Sequence, residues 1–372
     1  MKEKSICKKL YISLFIVVMC LPYFLWLVFG KFFDTANYEN RNLESKPVFS
    51  IDTYGKFASD YTAYFDDNLP FKNALVSLNS RMNYYLFRSS SSDRVIIGKE
   101  DWLFYADVSD GNPIADYQGK RMFSEEELQA IADNLLGIEE ELAKQGVEFV
   151  IFVAPNKERI YSEMMPDFYG EPADIYATQQ VIDYIKNHTD IRIVYSYTEL
   201  MEAKSFFPNV NLYYKTDTHW NDVGGYIGSR ALLSELGIDM PDIIDSSIVI
   251  EESSGAGGDL ANILHMTSDF ADDSYSISGY EDHDIVNIKW DFSTEIIYHC
   301  QNADTRKLFV VRDSFFTAMS EYMASQFNDS YMIHRYAYDY EKYIEQSPDI
   351  FVLEVVERYI EVLGKFTLQQ TQ

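Results

Sequence analysis

Apolar runs alternate with amphipathic segments along most of the chain, and this order predicts a layered fold. Within residues 128–142, leucine and isoleucine recur every three or four positions, which predicts a helix with one apolar face. Ser124 and Glu127 form a capping box at its start, and Gly146 is suited to end it. Residues 147–155 are then almost entirely apolar, which is typical of a buried parallel strand.

The alternation of strands and helices continues to the end of the chain. Further strands are predicted at residues 191–197, 307–313 and 349–359, and further helices at residues 178–186 and 221–236. Strands that alternate with helices in this way form a mostly parallel sheet with helices on both faces. The predicted fold class is therefore α/β with three layers.

The same pattern predicts where this domain begins and where it is interrupted. We assign residues 95–365 to the α/β domain, because two short strands are predicted near residue 95. Residues 31–94 are predicted to connect it to the N-terminal segment, through a helix whose apolar face packs on the domain. Residues 238–305 are polar, acidic and strand-like in places, and are predicted to be an insertion, with a solvated loop as the default interpretation and a lid as the alternative.

The N-terminal segment has the pattern of a membrane anchor. Residues 1–9 contain four lysines, whereas residues 10–30 contain no charged side chain. A helix of that length can cross a hydrocarbon core of about 30 Å, and the lysines favour a cytoplasmic N-terminus. We therefore expect a single-pass transmembrane protein of the cell membrane with an extracytoplasmic folded domain. A cleaved signal peptide is the alternative, although the apolar run is long for one.

Composition excludes some classes of partner and cofactor. The net charge of −28 argues against a nucleic-acid partner, because phosphate contacts need clustered Lys and Arg. The three cysteines provide neither a disulfide framework nor a zinc ligand pattern. No CoA-binding feature is visible, and we predict no cofactor and no metal. Most of the 29 Tyr and 25 Phe are expected in the core, although some rings are suited to stack on sugars in a groove.

Asp217 and His219, in the segment TDTHW, have the spacing of a general base and its orienting acid. Side chains two residues apart in an extended segment lie on the same face, so the carboxylate can hold Nδ1–H and leave Nε2 free. The helix predicted to follow favours the neutral imidazole that a base needs. A purely structural Asp–His contact is one alternative. A metal site is another, although no further His or Cys stands at ligand spacing.

Ser314 is a candidate for the nucleophile that such a pair requires. The strand predicted at residues 307–313 ends just before it, at the edge of the sheet where open α/β folds build their sites. Backbone N–H groups at the start of the following helix are suited to bind an oxyanion. Asp313 and Ser314 are also preferred N-cap residues, so a structural role is the alternative.

Short motifs spread over about residues 39–360 occur together in the order ENRNLESKP, GKEDWLFY, VAPNKERIYSEMMP, DTHW, DSF and VVERY. In this combination the chain resembles the AlgX/AlgJ-like (DHHW) group of SGNH-hydrolase-like polysaccharide O-acetyltransferases. The resemblance implies an SGNH-like fold and the transfer of acetyl groups to an extracytoplasmic polysaccharide. It also implies a membrane-bound O-acyltransferase that supplies the acetyl group.

The resemblance assigns a role to each member of the constellation. Ser314 would be the nucleophile, His219 the base that removes its proton and later activates the sugar hydroxyl, and Asp217 the residue that orients His219. The chain departs from the SGNH pattern at Arg312, where glycine is usual. The Ser314 N–H is the first candidate for the oxyanion donor.

Four further residues are candidates for contact with the oxyanion or the substrate. Asn156 and Lys157 follow a predicted strand, Arg358 lies at the end of the last predicted strand, and Trp220 belongs to TDTHW. A surface or strand-capping role is the alternative for the first three, and core packing is the alternative for Trp220 and Trp102. Because one triad serves both transfer and hydrolysis, an O-acetyl esterase is an alternative function. A non-catalytic component of a cell-envelope or exopolysaccharide export complex is another.

Overall fold

The computed structural model describes residues 2–29, 43–51, 53–69, 71–280, 284–301 and 303–369. Within the first range, the side chains of residues 2–7, 22–23 and 26–27 are not described. The chain divides into two compact units, which are residues 1–92 with 262–266 and residues 93–261 with 267–372.

The helices and strands follow one another in chain order. The α-helices are α1 (Lys2–Phe29), α2 (Tyr54–Asp67), α3 (Lys72–Phe87), α4 (Pro113–Tyr117), α5 (Glu125–Lys144), α6 (Lys157–Ile160), α7 (Ala177–His188), α8 (Tyr197–Phe206), α9 (Asp222–Glu235), α10 (Asp259–Ile263), α11 (Ser320–Ala324) and α12 (Tyr340–Gln346). Short 3₁₀ turns occur at Lys99–Asp101, Ser162–Met164, Asp167–Tyr169, Phe315–Met319 and Glu357–Gly364. The strands are β1 (Val95–Ile97), β2 (Leu103–Tyr105), β3 (Glu148–Ala154), β4 (Arg192–Tyr195), β5 (Val249–Ala256), β6 (Ala271–Ser278), β7 (Ile285–Trp290), β8 (Glu295–Cys300), β9 (Asp304–Arg312), β10 (Phe327–His334) and β11 (Ile350–Val356).

The first unit contains α1, α2 and α3. Across the part of the chain that the structure describes, no helix combines the length and the apolarity that a membrane span requires. The predicted span, residues 10–30, includes residue 30 and four side chains that lie outside the described residues. The membrane anchor therefore stays a prediction.

Helix α3 exists as predicted, but its apolar spacing does not mark a buried face. Leu75, Leu78, Met82 and Leu86 are all half or more exposed. The buried side chains of α3 are instead those of Ser80 and Tyr84.

The main sheet of the second unit has seven strands in the order β4–β3–β11–β9–β10–β8–β7. The five strands from β4 to β10 run parallel, and β8 and β7 are added antiparallel at one edge. The predicted mostly parallel sheet is thereby confirmed. Because parallel strands share a direction, the carboxyl ends of β3, β9 and β11 meet at one edge of the sheet.

Side chains of each central strand alternate between two hydrophobic cores. In β3, Phe149 and Ile151 pack with residues of α5 and α7, whereas Val150 and Phe152 pack with residues of α9 on the opposite face. Near-continuous apolar strands arise because both faces of the sheet are covered. The second unit is thus a helix–sheet–helix arrangement of three layers.

Helix α5 illustrates how local sequence positions these layers. Ser124 Oγ accepts the Glu127 N–H, and the Glu127 carboxylate accepts the Ser124 N–H at 2.8 Å, which completes the predicted capping box. Gly146 follows the helix with a φ of +77°, a left-handed conformation that favours glycine. The chain then enters β3 directly, as the pattern of residues 128–155 predicts.

Residues 238–305, predicted to be a partly strand-like insertion, contain strands, so they do not form the single solvated loop of the default interpretation. Strands β5 and β6 pair as a separate antiparallel hairpin, whereas β7 and β8 extend the main sheet beside β10. Strand β7 is the edge strand and is almost entirely exposed. An edge strand with two wet faces has no apolar alternation, so its sequence resembles that of a loop.

Candidate active site

Ser314 lies in the turn that follows β9 and precedes the 3₁₀ turn Phe315–Met319. The buried Asp313 carboxylate fixes this turn, because its Oδ1 accepts the Phe315 N–H and its Oδ2 accepts the Val356 N–H, both at 2.8 Å. Val356 is the last residue of β11. Asp313 therefore joins the ends of two neighbouring strands and holds the backbone around Ser314.

A second buried acid, Glu354, supports the same turn from β11. Its Oε2 accepts the Asp313 N–H at 2.7 Å. Burial and the negative charge of Asp313 raise the pKa of Glu354 well above its usual value. Arg312, at the usual SGNH glycine position, is fully buried and donates to the carbonyl oxygens of Asp313 and Phe292 at 3.2 and 2.7 Å. Arg312 thus adds hydrogen bonds to the turn.

Asp217 and His219 lie in a tight loop, which corrects the expectation of an extended segment. An isolated bridge pairs Tyr213 with Trp220, and the residues between them bend. Asp217 Oδ1 accepts the His219 N–H at 3.0 Å and lies 2.6 Å from His219 Nδ1. The side chains meet because the Asp217 carboxylate closes the turn two residues ahead, as Asp side chains commonly do.

The loop and the turn bring the predicted constellation together. His219 Nε2 lies 2.8 Å from Ser314 Oγ, although 95 positions separate the two residues in the sequence. With Nδ1–H directed to Asp217, Nε2 is the acceptor for the Ser314 hydroxyl, a tautomer that follows from the hydrogen-bond network. The hydroxyl, the imidazole and the carboxylate form the continuous proton path that nucleophilic serine catalysis requires.

Asp217 and His219 each stabilise the charged form of the other. Partial burial disfavours both charged forms, but the hydrogen bond and the opposite charges outweigh it. The pKa of Asp217 is consequently held well below its usual value, and the pKa of His219 is raised above its usual value. Asp217 therefore stays ionised while His219 is available to gain and lose a proton.

Asp259, which the sequence analysis did not single out, is a second carboxylate beside the imidazole. Its N–H donates to Asp217 Oδ2 at 2.9 Å, and its Oδ2 lies 3.8 Å from His219 Nδ1. Its carboxylate accepts the N–H and hydroxyl of Thr218 at 2.7 and 2.6 Å. Asp259 comes from the GGDL stretch of the insertion, so this segment is part of the site. One feature of the sequence points to such an acid: Thr216 and Thr218 flank Asp217, and their hydroxyl groups need hydrogen-bond acceptors.

The same three groups are the one arrangement among the described residues that has the donor atoms of a small metal site. Asp217, His219 and Asp259 each offer an atom within 4.8 Å of the others. However, Nδ1 already faces Asp217, and the Asp259 carboxylate is already bonded to Thr218. A cation would displace these hydrogen bonds, so the donor set fits a proton path better than it fits a metal.

Ser314 N–H and Arg358 are the groups best placed to meet negative charge near the nucleophile. Among the described residues, the Ser314 N–H has no acceptor. The Arg358 guanidinium carbon lies 5.2 Å from the Phe315 ring centroid, and the His219 ring lies 4.9 Å from the same ring. The positive charge of Arg358 opposes protonation of His219, so the two groups are electrostatically connected.

Lys157 and Asn156 are buried at the end of β3, and the structure gives them different surroundings. Lys157 Nζ donates to the carbonyl oxygens of Tyr214, Lys215 and Asp217 at 3.1, 3.1 and 2.6 Å. Its three protons are therefore occupied, and Lys157 supports the base-bearing loop rather than meeting a substrate. The Asn156 N–H donates to Glu357, while its side-chain amide has no hydrogen-bond partner.

Trp220 and Trp102 are both core residues, as their alternative reading predicts. Trp220 is 1% exposed and its Nε1 donates to the Phe315 carbonyl at 2.8 Å. Trp102 is equally buried and stacks on Tyr161 at 4.2 Å. The indole that is exposed near the triad is instead that of Trp290, which is 49% exposed.

A cavity of about 620 Å³ opens directly onto the triad. Ser314, His219 and Asp217 line one part of it, and aromatic side chains line much of the remainder. These rings belong to Tyr214, Tyr280, Trp290, Phe292 and Tyr322. The cavity has the size and the mixed lining of a small-molecule or saccharide subsite.

Comparison with known proteins shows which proteins the chain resembles. Residues 95–269 match the family model described as "SGNH hydrolase-like domain, acetyltransferase AlgX", a range that includes Asp217, His219 and Asp259 but ends before Ser314. The "Probable alginate O-acetylase AlgJ" of Pseudomonas aeruginosa is 28% identical over 202 residues, which are 52% of this chain and 47% of that protein. The chain is thus similar to AlgX and AlgJ proteins over about half of its length. It spans about half the length of the curated AlgJ relatives it matches.

Solved structures support the α/β fold of this chain. A DHHW family protein from Eubacterium siraeum is 17% identical, with a TM-score of 0.51 that covers 65% of this chain and 90% of that one. Bacillus cereus PatB1 is also 17% identical, with a TM-score of 0.50 that covers 74% of this chain and all of that one. At such identities the likeness concerns the fold alone, and it agrees with the SGNH-like α/β architecture.

Gly258 lies so close to Asp217 that the chain should not tolerate a side chain there. A Cβ at Gly258 would lie 2.4 Å from Asp217 Cβ and 2.6 Å from its Oδ2. We expect Gly258→Ala to displace Asp217, lower activated-ester turnover by about 10²-fold, and destabilise the fold by about 1–3 kcal/mol. The matched control is Gly255→Ala, whose Cβ would meet its nearest atom at 3.4 Å. Equal free energies of urea unfolding and equal ester turnover in the Gly258→Ala and Gly255→Ala variants would contradict this prediction.

The raised pKa of His219 sets the pH range of serine acylation. A base must be neutral to accept a proton, and free histidine has a pKa of about 6.5. Since Asp217 raises the pKa of His219, the neutral fraction should be lost at a higher pH than in free histidine. We expect kcat/KM for an activated acetyl ester to fall with decreasing pH, with a midpoint above about 6.5. A rate profile measured from pH 5 to 9 that is flat, or has its midpoint lower, would exclude His219 as the base.

Proposed function

We propose that the chain is a serine-dependent O-acetyltransferase that carries an acetyl group on Ser314 and passes it to hydroxyl groups of an extracytoplasmic polysaccharide. The observation that carries the proposal is the 2.8 Å contact between Ser314 Oγ and His219 Nε2, continued to Asp217 at 2.6 Å, at the wall of an open cavity. Curated relatives named as alginate O-acetylases support the reaction class.

In the first half of the reaction, Ser314 Oγ attacks the carbonyl carbon of the donor acetyl ester. The serine proton passes to His219 Nε2, and the carbonyl oxygen gains negative charge beside the Ser314 N–H. The donor alkoxide then leaves and takes the proton from His219. The acetyl group remains on Ser314 as an ester, which divides the transfer into two easier steps.

In the second half, a sugar hydroxyl replaces the donor. Its proton passes to His219 Nε2 as its oxygen attacks the acetyl carbonyl carbon, and Ser314 Oγ leaves and regains that proton. Asp217 remains ionised throughout and stabilises the imidazolium that forms in each half. No cofactor is needed, because the donor ester supplies the acetyl group.

The proposal includes the cellular location and the membrane orientation of the protein. Residues 10–30 would anchor it in the cell membrane, with residues 1–9 cytoplasmic and the catalytic domain of residues 95–365 outside. The four N-terminal lysines and the uncharged run support this orientation. A membrane-bound O-acyltransferase would supply acetyl groups across the membrane, which suits a transferase tethered beside it.

An acceptor assay separates transfer from the alternative functions. The purified full-length chain is given an activated acetyl ester with and without oligosaccharides, and the products are analysed by mass spectrometry. Acetylated oligosaccharide would support the transferase. Free acetate alone, unaffected by any oligosaccharide, would favour the esterase. A folded protein that neither hydrolyses the ester nor becomes acetylated would favour the non-catalytic component.

A further inference from the structure

We infer that the acceptor of this site is a glycan of uncharged sugars, and that Asp222 and Glu321 select against polyuronates. The inference rests on the proposed function and assigns a substrate class to its site. Uncharged hexose and N-acetylhexosamine polymers share the relevant chemistry, namely hydroxyl groups and C–H faces without carboxylates.

The charges around the cavity all have the same sign. Asp217, Asp222 and Glu321 line it together with His219, and none of the described lining residues is Lys or Arg. Asp217 is compensated by its contact with His219, whereas Asp222 and Glu321 have no cation beside them in the lining. A bound uronate would therefore bring its carboxylate toward two carboxylates.

Asp222 and Glu321 are close enough to influence each other. Asp222 is the first residue of α9 and is partly buried, and Glu321 is exposed in α11. Burial and then the charge of Glu321 raise the pKa of Asp222. The shift indicates that this part of the cavity already disfavours a further negative charge.

Like Lys157, whose ammonium group is occupied by three carbonyl oxygens, the buried cation Arg358 does not change this conclusion. It is not a lining residue of the cavity, and its guanidinium lies among the rings of Tyr105, Phe315 and Tyr359, with centroid distances of 5.5, 5.2 and 5.0 Å. Arg358 is also attracted by the charge of Asp313 behind the turn. Arg358 therefore provides no carboxylate-binding position in the cavity.

The remaining lining suits sugar rings without charge. Trp290 and Phe292 are 49% and 61% exposed, so their faces are available to stack on C–H surfaces of a sugar. Tyr280 and Tyr322 pack edge to face at 5.6 Å on another part of the wall. Stacking together with nearby hydroxyl groups is the usual way in which proteins hold neutral saccharides, and it does not require a cation.

The test compares acceptors that differ in charge. The purified full-length chain receives an activated acetyl ester and, in separate reactions, a hexose oligomer, an N-acetylhexosamine oligomer, an oligouronate and the carboxyl-reduced form of that oligouronate. We expect the oligouronate to be acetylated at least about ten times more slowly than the best uncharged acceptor. The two uncharged types distinguish which polymer class the cavity prefers.

The residues are tested with a double variant and a charge-matched control. Asp222→Asn/Glu321→Gln should raise the rate for the oligouronate, relative to the best uncharged acceptor, by at least about threefold. Glu126→Gln/Asp133→Asn, on the exposed face of α5, changes the net charge equally and should leave the ratio unchanged. An oligouronate that is the best acceptor, no transfer to any uncharged oligomer, or a ratio unaffected by the double variant would overturn the inference. Failure of the proposed function itself is distinct, because no acetyl group would then appear on Ser314 with the donor ester alone.

Discussion

Ser314→Ala is expected to lower turnover of an activated acetyl ester by at least about 10³-fold and to abolish the acetyl-enzyme. The Ser314 hydroxyl is the atom that the proton path from Asp217 through His219 reaches, and it is the only group on that path able to carry the acetyl group as an ester. The fold should be retained, because Asp313 and Glu354 hold the turn and the Ser314 side chain makes no capping hydrogen bond.

Intact-mass measurement after brief exposure to the donor ester checks this prediction directly. The wild-type chain should gain one acetyl group on Ser314, and the variant should gain none. Ser205→Ala is the matched control, since Ser205 is exposed and its hydroxyl bonds only to the Met201 carbonyl. In cells, the variant should be produced normally while polysaccharide acetylation is lost. If the Ser314→Ala variant is stable and polysaccharide acetylation is undiminished, Ser314 is not the nucleophile and the chain is not the enzyme that acetylates the polysaccharide.

The layered fold is readable from the sequence because each strand and helix encodes its own burial. Residues 147–155 predict a buried strand, and β3 is observed at Glu148–Ala154. The capping box and Gly146 place both ends of α5 within a residue or two. The edge strand β7 lacks this information, because both of its faces are exposed, and the sequence places it only within the predicted insertion.

The meeting of Ser314 with His219 is predictable for a topological reason. Ser314 follows β9, and the carboxyl ends of parallel strands share the edge where open α/β folds build their sites. His219 lies in the loop between α8 and α9, and the helix that begins just after it packs against the sheet near that edge. The direction of a side chain is not encoded in this way. Lys157 and Trp220 lie near the same edge, yet one binds three carbonyl oxygens and the other is buried.

The sequence does not predict which residues of the insertion belong to the candidate active site. Asp259 is 42 residues beyond Asp217, and no periodic pattern connects a polar segment to a partner at that distance. Trp290 was missed for the same reason, because an exposed ring on an edge strand does not differ in sequence from a solvated one. Long-range contacts between polar residues depend on tertiary geometry, which only the folded chain reveals.

Asp217→Asn is expected to reduce kcat for ester turnover by about 10³–10⁴-fold while leaving the fold intact. An amide at this position can turn its NH₂ group toward Nδ1 and favour the tautomer with the proton on Nε2. That proton would face Ser314 Oγ, so His219 would no longer accept the serine proton.

The pH profile distinguishes an orienting acid from a merely structural one. Asp217 raises the pKa of His219, so its loss should move the midpoint of the rate profile to lower pH even as the maximum rate falls. Asp259→Asn is the informative comparison, because the Asp259 carboxylate lies 3.8 Å from His219 Nδ1. We expect this variant to lower kcat for ester turnover by only about tenfold. Equal losses in the two variants, or an unshifted midpoint in Asp217→Asn, would mean that Asp217 does not orient the base. The expected difference follows from the distances of the two carboxylates, because Asp217 Oδ1 lies 2.6 Å from His219 Nδ1 and Asp259 Oδ2 lies 3.8 Å from it. The Thr218 hydroxyl, 3.1 Å from Nδ1, is a neutral neighbour that neither variant removes.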